Sequence, residues 1–364
     1  MYNVFIYKIS LYLKRNFLNI KIGNSDLNVS RICLGCMGFG DSNQGMHSWT
    51  LDEEKSTEII KKALENGINF FDTAIGYQSG TSEQYLGRAL KKLTKREDVI
   101  IATKFPARTK KEIEDNVSAR EHVQNMLNQS LANLRTDYID LYICHMWDYE
   151  TKIEEIMEVL NEQVEAEKIR YIGISNYFAW QLEKANAIAD KNGWSKFISA
   201  QNHYNLIFRE EEREMVGCCL DGNIAMTPYS ALASGRLVRN WSETTKRLEE
   251  DSYAKGKYDL TTDKDRVIVE CVAEIAEKRG MTRIQVALGW LLSKVESPVV
   301  GATKFSHIEE AVKAVTVKLT EEEIKYLEEP YVPHKLVGVM VEKQYDVISK
   351  KLMLDKIISG KNKN

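Results

Sequence analysis

The clearest indication of the fold is the stretch of residues 139–175, IDLYICHMWDYETKIEEIMEVLNEQVEAEKIRYIGIS. It begins with a short apolar run at 139–144, continues with helical periodicity over 153–168, and ends in a second apolar run at 171–175. Short runs that are apolar throughout, without alternation of polar and apolar residues, are typical of parallel strands covered on both faces. The stretch therefore predicts one strand–helix–strand unit of a parallel sheet.

The same alternation recurs along the chain. Apolar runs predict eight strands, at residues 31–35, 69–72, 98–103, 139–144, 171–175, 197–201, 224–228 and 298–301. Helical periodicity predicts helices at 53–66, 82–92, 120–134, 153–168, 265–279 and 282–294. A repeat of about 34 residues indicates an α/β fold, a single-domain (β/α)8 TIM barrel. The rival is an open doubly wound sheet, but glycines at 35, 38 and 40 do not make its G-x-G-x-x-G motif before a helix.

Composition narrows the function further. The 364 residues carry 50 basic and 53 acidic side chains, and this near-neutral balance argues against binding to nucleic acid. Six cysteines are too few for a disulfide scaffold, which favours a reducing compartment and hence the cytoplasm. Cys33 and Cys36 form a CxxC, but no second pair completes a zinc site, so we favour ordinary packing and expect no metal.

The two ends of the chain do not fit the barrel pattern. Residues 1–17 are apolar and basic but lack the order of charges and the cleavage site of a signal peptide. We expect an extension outside the fold, with a membrane-surface helix as the alternative. The barrel then occupies residues 18–334, and 335–364 form a C-terminal tail of unknown role. No apolar run approaches the 18 residues of a membrane span.

In a TIM barrel, catalytic side chains come from the carboxyl ends of the strands and the loops that follow them. Polar residues at these positions are Asp72, Lys104, His145, Ser175, Asn176, Gln201 and Tyr229, and Tyr77 follows Asp72 on the same loop. Singly, each has an ordinary structural explanation, such as a capped turn, a solvated lysine or a core histidine. Their joint occurrence at one end of the barrel favours a site for acid–base chemistry.

This set has a chemical use. A tyrosine hydroxyl, with a pKa of about 10, is a weak acid at neutral pH. A neighbouring ammonium group lowers that pKa, and a buried lysine stays charged when it has a carboxylate partner. Asp72 and Lys104 would form the ion pair, Tyr77 would donate the proton, and His145 would orient a carbonyl oxygen. Glycosidase chemistry fits less well because it requires two carboxylates, and Asp72 alone stands at a strand end.

Several motifs in this order resemble the aldo-keto reductases. They are DTAIGY (72–77), ATK (102–104), His145, GISN (173–176), QNHYN (201–205) and PYSALASGRL (228–237), and the resemblance runs from about residue 18 to 334. Within the family, the chain looks most similar to the bacterial branch related to aryl-alcohol dehydrogenases and potassium-channel β-subunits. The resemblance implies NAD(P)H-dependent reduction of aldehydes or ketones to alcohols, with Asp72, Tyr77, Lys104 and His145 as the tetrad and Tyr77 as the general acid.

The resemblance also implies the residues that bind the cofactor. Those around the nicotinamide are Ser175, Asn176, Gln201 and Tyr229, and those along the pyrophosphate are Ser230, Leu232, Gly235 and Arg236. The adenosine-phosphate segment contributes Gly301, Thr303, Lys304, His307 and Glu310. Lys304 suits a 2′-phosphate, which favours NADPH, with NADH possible. One departure from the resemblance is Ala311, because many members of the family carry Asn at this position, and that Asn is expected to contact the adenine.

The expected substrate is a small carbonyl compound. Met37, Trp49, Trp147 and Phe178 are the candidate pocket residues, although core packing would explain each of them equally well. A second hypothesis is a regulatory subunit that uses the cofactor as a redox sensor with little turnover. The direction of the reaction and the oligomeric state stay open. The acidic run at 210–214 is expected to form a solvated helix face.

Overall fold

The computed structural model describes residues 19–241 and 243–334. A hairpin of two short strands, β1 (Asn19–Lys21) and β2 (Asn28–Ser30), precedes eight parallel strands. These are β3 (Cys33–Gly35), β4 (Phe70–Asp72), β5 (Ile100–Phe105), β6 (Ile139–Cys144), β7 (Ile169–Ser175), β8 (Phe197–Gln201), β9 (Ala225–Met226) and β10 (Val299–Gly301). All eight predicted strands are present, and β5 continues two residues further than predicted, so that Lys104 lies inside it.

Helices follow the strands in the expected alternation. They are α1 (Glu53–Glu65), α2 (Thr81–Leu93), α3 (Lys110–Glu114), α4 (Ala119–Leu134), α5 (Ile153–Glu165), α6 (Ala179–Asn192), α7 (Met215–Asp221), α8 (Lys246–Glu250), α9 (Ser252–Tyr258), α10 (Thr262–Arg279), α11 (Arg283–Leu292), α12 (Phe305–Ala314) and α13 (Glu321–Glu328). The long α6 was not predicted, because its many alanines contrast little with the polar residues around them.

The sheet closes into a barrel. Its strands run in the order β10-β3-β4-β5-β6-β7-β8-β9, and every neighbouring pair is parallel. The two ends of this order meet where the Val299 amide donates to the Pro228 carbonyl at 2.9 Å. Strand closure with helices outside is the (β/α)8 fold, so the sequence-based prediction is confirmed and the doubly wound alternative is wrong.

The hairpin covers the amino-terminal end of the barrel. Its residues Ile22, Leu27 and Val29 are buried, and they form one apolar cluster with the inward-facing strand residues. That cluster includes Cys33, Phe70, Ile100, Leu141, Ile143 and Ile198. The carboxyl ends of the strands, where polar residues accumulate, are therefore the open end.

Two predictions about the ends of the chain, for residues 1–17 and 335–364, lie outside the described residues. Among the residues that are described, no helix is long and apolar enough to cross a membrane. The prediction that residues 210–214 are a solvated face is wrong at Glu210 and Glu211, which are both buried. Glu210 accepts hydrogen bonds from Tyr331 and from the His334 amide, and Glu211 accepts one from Asn202. Burial raises the pKa of Glu211 to about 7.

Candidate active site

Asp72 and Lys104 form a buried ion pair at the open end of the barrel. Asp72 is the last residue of β4, Lys104 lies near the end of the adjacent strand β5, and both are almost fully buried. The Lys104 ammonium group donates to Asp72 Oδ1 at 2.6 Å and to the Thr73 carbonyl at 2.8 Å. Although burial lowers the pKa of Lys104, Asp72 and Tyr77 raise it, and the net shift is upward. The lysine is therefore cationic at neutral pH.

Tyr77 stands beside this pair at the start of a short 3-10 helix, Tyr77–Gly80. Lys104 Nζ donates to its hydroxyl at 3.4 Å and lies 5.0 Å from the centre of its ring. Burial raises the pKa of Tyr77, the charge of Lys104 lowers it, and burial prevails. The prediction from the sequence is that the lysine lowers this pKa. The lysine acts in that direction, but its effect is smaller than the effect of burial.

His145 directly follows β6, and its ring lies 6.1 Å from that of Tyr77 at an interplanar angle of 81°. Its backbone amide donates to the Phe105 carbonyl at 3.0 Å, which holds the residue next to the end of β5. Burial and the charge of Lys104 lower the pKa of His145 to about 3. The imidazole is therefore neutral at physiological pH, and one ring nitrogen can donate a hydrogen bond. The structure thus brings all four predicted tetrad residues together.

The residues predicted around a nicotinamide form a connected network beside the tetrad. Gln201 Nε2 donates to Asp72 Oδ2 at 2.9 Å, and Ser175 Oγ donates to the Gln201 carbonyl at 2.7 Å. Asn176 has a left-handed backbone, φ 57°, and its Nδ2 donates to the His145 carbonyl at 3.0 Å. The Tyr229 hydroxyl donates to Asn176 Oδ1 at 2.9 Å. Strands β4, β6, β7, β8 and β9 therefore contribute to one polar surface.

The loop after β9 continues from Tyr229 through a compact turn. Ser230, Ala233, Ser234 and Gly235 all have left-handed backbones, and Leu232 lies half-buried among them. Gly235 has a φ of 93°, a backbone conformation that favours glycine, and a β-carbon there would lie 1.9 Å from Nη1 at the flexible end of the Arg239 side chain, which crosses the turn. Arg236 Nη2 donates to Asp259 at 2.8 Å.

The segment after β10 runs from Gly301 into helix α12. Lys304 is the N-cap residue of α12, no side chain caps this end of the helix, and no acidic residue lies in its first turn. The Thr303 amide donates to His307 Nδ1 at 3.4 Å. The pKa of His307 is lowered mainly by burial, and the charges of Lys304 and Arg239 lower it further. Positive charge therefore collects at this helix end. Glu310 points elsewhere, because Thr282 and Lys313 each donate to it at 2.8 Å.

A family model for the aldo/keto reductase family matches residues 31–331, most of the chain. The chain belongs to the aldo/keto reductase family. It is 42% identical over 334 residues to a versiconal hemiacetal acetate reductase of Aspergillus parasiticus, and the aligned region covers 86% of this chain and 96% of that relative. It is 36% identical over 342 residues to a protein of Schizosaccharomyces pombe named as an aryl-alcohol dehydrogenase, and the aligned region covers 87% of this chain and 96% of that relative. Both relatives are fungal, and the resemblance to a bacterial branch stays an expectation.

Solved structures agree with this family membership. A thermostable aldo-keto reductase, crystallised with the inhibitor epalrestat, superimposes with a TM-score of 0.69 and 27% sequence identity. The match covers 86% of this chain and 99% of that protein. Relatives named as reductases and aryl-alcohol dehydrogenases, together with the family model, identify the chain as an oxidoreductase that acts on carbonyl compounds.

Aldo-keto reductases use nicotinamide cofactors, and the residues of this chain fit such a group. Arg236 Nη1 is buried on the loop after β9 and has no hydrogen-bond partner within the described residues. A buried donor without a partner is costly, and an anionic group such as a pyrophosphate would satisfy it. The uncapped end of α12 offers further backbone amides to a phosphate.

The four predicted pocket residues are partly buried and lie near the open end of the barrel. Trp147 stacks on Tyr149 at 4.6 Å, contacts Trp180 edge-on, and donates its indole N–H to the Thr151 carbonyl. Trp49 pairs with His47 at 4.9 Å. Met37 follows β3 closely, and Phe178 is the N-cap residue of α6.

Two basic residues, Lys257 and Arg239, lie near the predicted cofactor positions but could not be identified from the sequence. Lys257, on α9, donates to Ser230 Oγ at 3.2 Å and lies 4.5 Å from the centre of the Tyr229 ring. Arg239 crosses Gly235, as described above. Both belong to the segment between β9 and α10, which carries no strand–helix periodicity, so position along the chain offered no signal. Behind Tyr229, His203 is stacked 5.5 Å away and supports its ring.

Proposed function

We propose that this protein is an NADPH-dependent reductase that converts aldehydes or ketones to alcohols, with Tyr77 as the general acid. The observation that carries the proposal is the chain of contacts from the buried Asp72 through the buried Lys104 to the hydroxyl of the half-buried Tyr77. This arrangement suits proton donation by Tyr77. The carboxylate of Asp72 keeps Lys104 charged, and the charged lysine faces the phenol hydroxyl that would give up its proton.

Each tetrad residue has a distinct task in the proposed reaction. When bound, the nicotinamide supplies a hydride to the carbonyl carbon of the substrate. Tyr77 donates its proton to the carbonyl oxygen, and because burial raises the pKa of Tyr77, that proton is held at neutral pH. Lys104 stabilises the phenolate that remains. His145, neutral because its pKa is about 3, donates a hydrogen bond that orients the carbonyl oxygen.

The remaining predicted residues would bind the cofactor. Ser175, Asn176 and Gln201 would hold the carboxamide, and Tyr229, supported by His203, offers its ring face to the nicotinamide. Arg236 and the loop from Ser230 to Gly235 would face the pyrophosphate. Lys304 at the N-terminus of α12, with Thr303 and His307, favours the 2′-phosphate of NADPH over NADH.

The candidate pocket residues indicate the substrate class, and the cysteines indicate the cellular compartment. Met37, Trp49, Trp147 and Phe178 provide apolar and aromatic surface, which favours hydrophobic carbonyl compounds. The relative named as an aryl-alcohol dehydrogenase is consistent with aromatic substrates. All six cysteines are free thiols, which favours a reducing compartment such as the cytoplasm.

Tyr77→Phe tests the proposal because it removes one hydroxyl and keeps the ring. With a panel of aromatic and aliphatic aldehydes, we expect NADPH oxidation to fall by at least about a hundredfold, the lower end of the usual range for general acid catalysis. NADPH binding, followed by the fluorescence of the cofactor, should change less than threefold. The matched control is Tyr138→Phe, which removes the hydroxyl of a half-buried tyrosine directly before β6, at the amino-terminal end of the barrel, and should leave turnover within twofold.

The regulatory hypothesis predicts a different result in the same assay. Wild-type protein that binds NADPH tightly but oxidises it with none of the aldehydes would contradict the reductase proposal and favour a redox sensor. The intact contacts among Asp72, Lys104 and Tyr77 favour turnover.

A further inference from the structure

The first turn of helix α2 contacts the two strand ends that carry the ion pair. Thr73 directly follows Asp72, and Thr103 directly precedes Lys104. Because successive side chains of a strand point to opposite faces, Lys104 enters the barrel while Thr103 faces the helix layer. Thr103 Oγ1 donates to Glu83 Oε1 at 2.6 Å, and the Thr73 and Ser82 hydroxyls lie 3.0 Å apart.

These hydrogen bonds have defined directions. Ser82 Oγ donates its one proton to the Cys36 carbonyl at 2.8 Å, so the Thr73 hydroxyl is the donor to Ser82. Consecutive residues of one helical turn therefore hold the ends of three adjacent strands, β3, β4 and β5. We call Ser82, Glu83, Thr73 and Thr103 the α2 clamp.

Glu83 is the unusual member of the clamp. Its side chain is fully buried, its second oxygen accepts from Asn133 Nδ2 at 2.9 Å, and its titratable neighbours include Lys104 on β5 and Tyr142 on β6. Burying a carboxyl group costs free energy even when donors satisfy it. Two apolar side chains of matching shape would stabilise the same contact about as well. Stability alone therefore does not explain a carboxyl group at this position.

We propose that Glu83 is a positioning residue for the reduction site, holding Thr103 and thereby the strand end from which Lys104 reaches Asp72 and Tyr77. This inference rests on the proposed function. The positioning matters because Lys104 Nζ makes three contacts at once, to Asp72 Oδ1, the Thr73 carbonyl and the Tyr77 hydroxyl. A displacement of about 1 Å in a catalytic group can cost roughly a hundredfold in rate.

Thr103→Val and Thr103→Ser test the clamp as a matched pair. Valine has the shape of threonine without the hydroxyl, whereas serine keeps the hydroxyl and loses a methyl group. We expect Thr103→Val to lower kcat for aldehyde reduction about tenfold and to leave the Kd for NADPH and the KM for aldehyde within twofold. Thr103→Ser should keep kcat within twofold of the wild type. Wild-type kcat in Thr103→Val would overturn the proposal.

The double variant Glu83→Leu with Thr103→Val separates positioning from folding. Removing both partners leaves neither a carboxylate nor a hydroxyl unpaired between α2 and β5. Asn133 Nδ2, which also donates to Glu83, belongs to a half-buried side chain that water can reach, so we expect the Tm of the double variant to exceed that of Thr103→Val. If the clamp positions Lys104, kcat stays low although the Tm recovers. Recovery of kcat together with the Tm would show a structural role only and would overturn the proposal.

The wild-type arm keeps the two proposals distinct. Active wild-type protein with unaffected clamp variants overturns the clamp alone. Wild-type protein that binds NADPH and reduces no aldehyde overturns the proposed function, and the clamp as a positioning device with it.

Discussion

Lys104 and His145 stand beside the same tyrosine, yet they differ in charge. Lys104 keeps its proton because Asp72 accepts from it at 2.6 Å. His145 loses its proton because burial and the charge of Lys104 both act against a second cation. The two residues could be named from the sequence by their positions at strand ends. Their protonation could not, since it depends on burial and on distances between separate strands.

The low pKa of His145 predicts a pH profile. Its folded-state pKa, about 3, lies below the ordinary 6.5, so the imidazole stays neutral throughout the working range. We expect kcat for aldehyde reduction to show no limb attributable to His145 between pH 5 and 8. Since the unfolded chain takes up this proton below about pH 6.5, the stability linked to His145 is present above that pH and falls as the pH drops towards 3.

The comparison of wild type with His145→Gln checks this prediction. Both proteins should give profiles of the same shape between pH 5 and 8, with a lower plateau for the variant. A limb near pH 6.5 that is present in the wild type and absent from His145→Gln would contradict a neutral imidazole.

At the scale of elements, the short apolar runs located the strands well, because parallel strands buried on both faces have little choice of composition. The helices with a clear apolar stripe were located equally well. The segment between β9 and α10 was not, since its short helices α8 and α9 carry no long periodic pattern. Arg239 and Lys257 approach Gly235 and Tyr229 only through the tertiary course of this segment.

The N-terminus of helix α12 differs from the N-termini of several other helices, and this difference leads to a prediction about cofactor binding. Among the described residues, six other helices are capped at the N-terminus by the side chain of the N-cap residue, whereas α12 begins at Lys304 without such a cap; the six residues are Asp52, Thr109, Ser118, Asp251, Thr282 and Thr320. We expect Lys304→Ala to raise the KM for NADPH about tenfold, because one charge-assisted contact to the 2′-phosphate is lost. The KM for NADH should stay within twofold.

Steady-state kinetics with both cofactors measures this effect, and Lys318→Ala, an exposed lysine away from α12, is the control. An equal rise in both KM values would contradict recognition of the 2′-phosphate. Residue 311 is a buried alanine in α12, so the helix contributes no side-chain amide at that position.

At the scale of the whole molecule, the residues that stabilise the fold and the residues proposed to carry out the reaction lie at opposite ends of the barrel. The hairpin buries Ile22, Leu27 and Val29 against the barrel interior at the amino-terminal end, while the tetrad lies at the carboxyl end. Leu27→Ala should lower the free energy of unfolding by about 2–5 kcal/mol, the usual cost of a cavity in a core. Denaturant unfolding measures that loss, and kcat/KM should remain within twofold. A large fall in kcat/KM in the folded variant would show that the two ends are coupled.

The sequence alone was enough to place the eight strands with six of the helices, and to identify the residues at the strand ends. Local composition carries both, because burial on two faces demands apolar runs and a polar residue can only follow where a strand leaves the core. The tertiary structure decided the rest. It set the charges of Lys104 and His145, buried Glu83 and Glu211, and brought Arg239 and Lys257 to the loop after β9. These properties depend on contacts between residues far apart in the chain, and no local pattern encodes them.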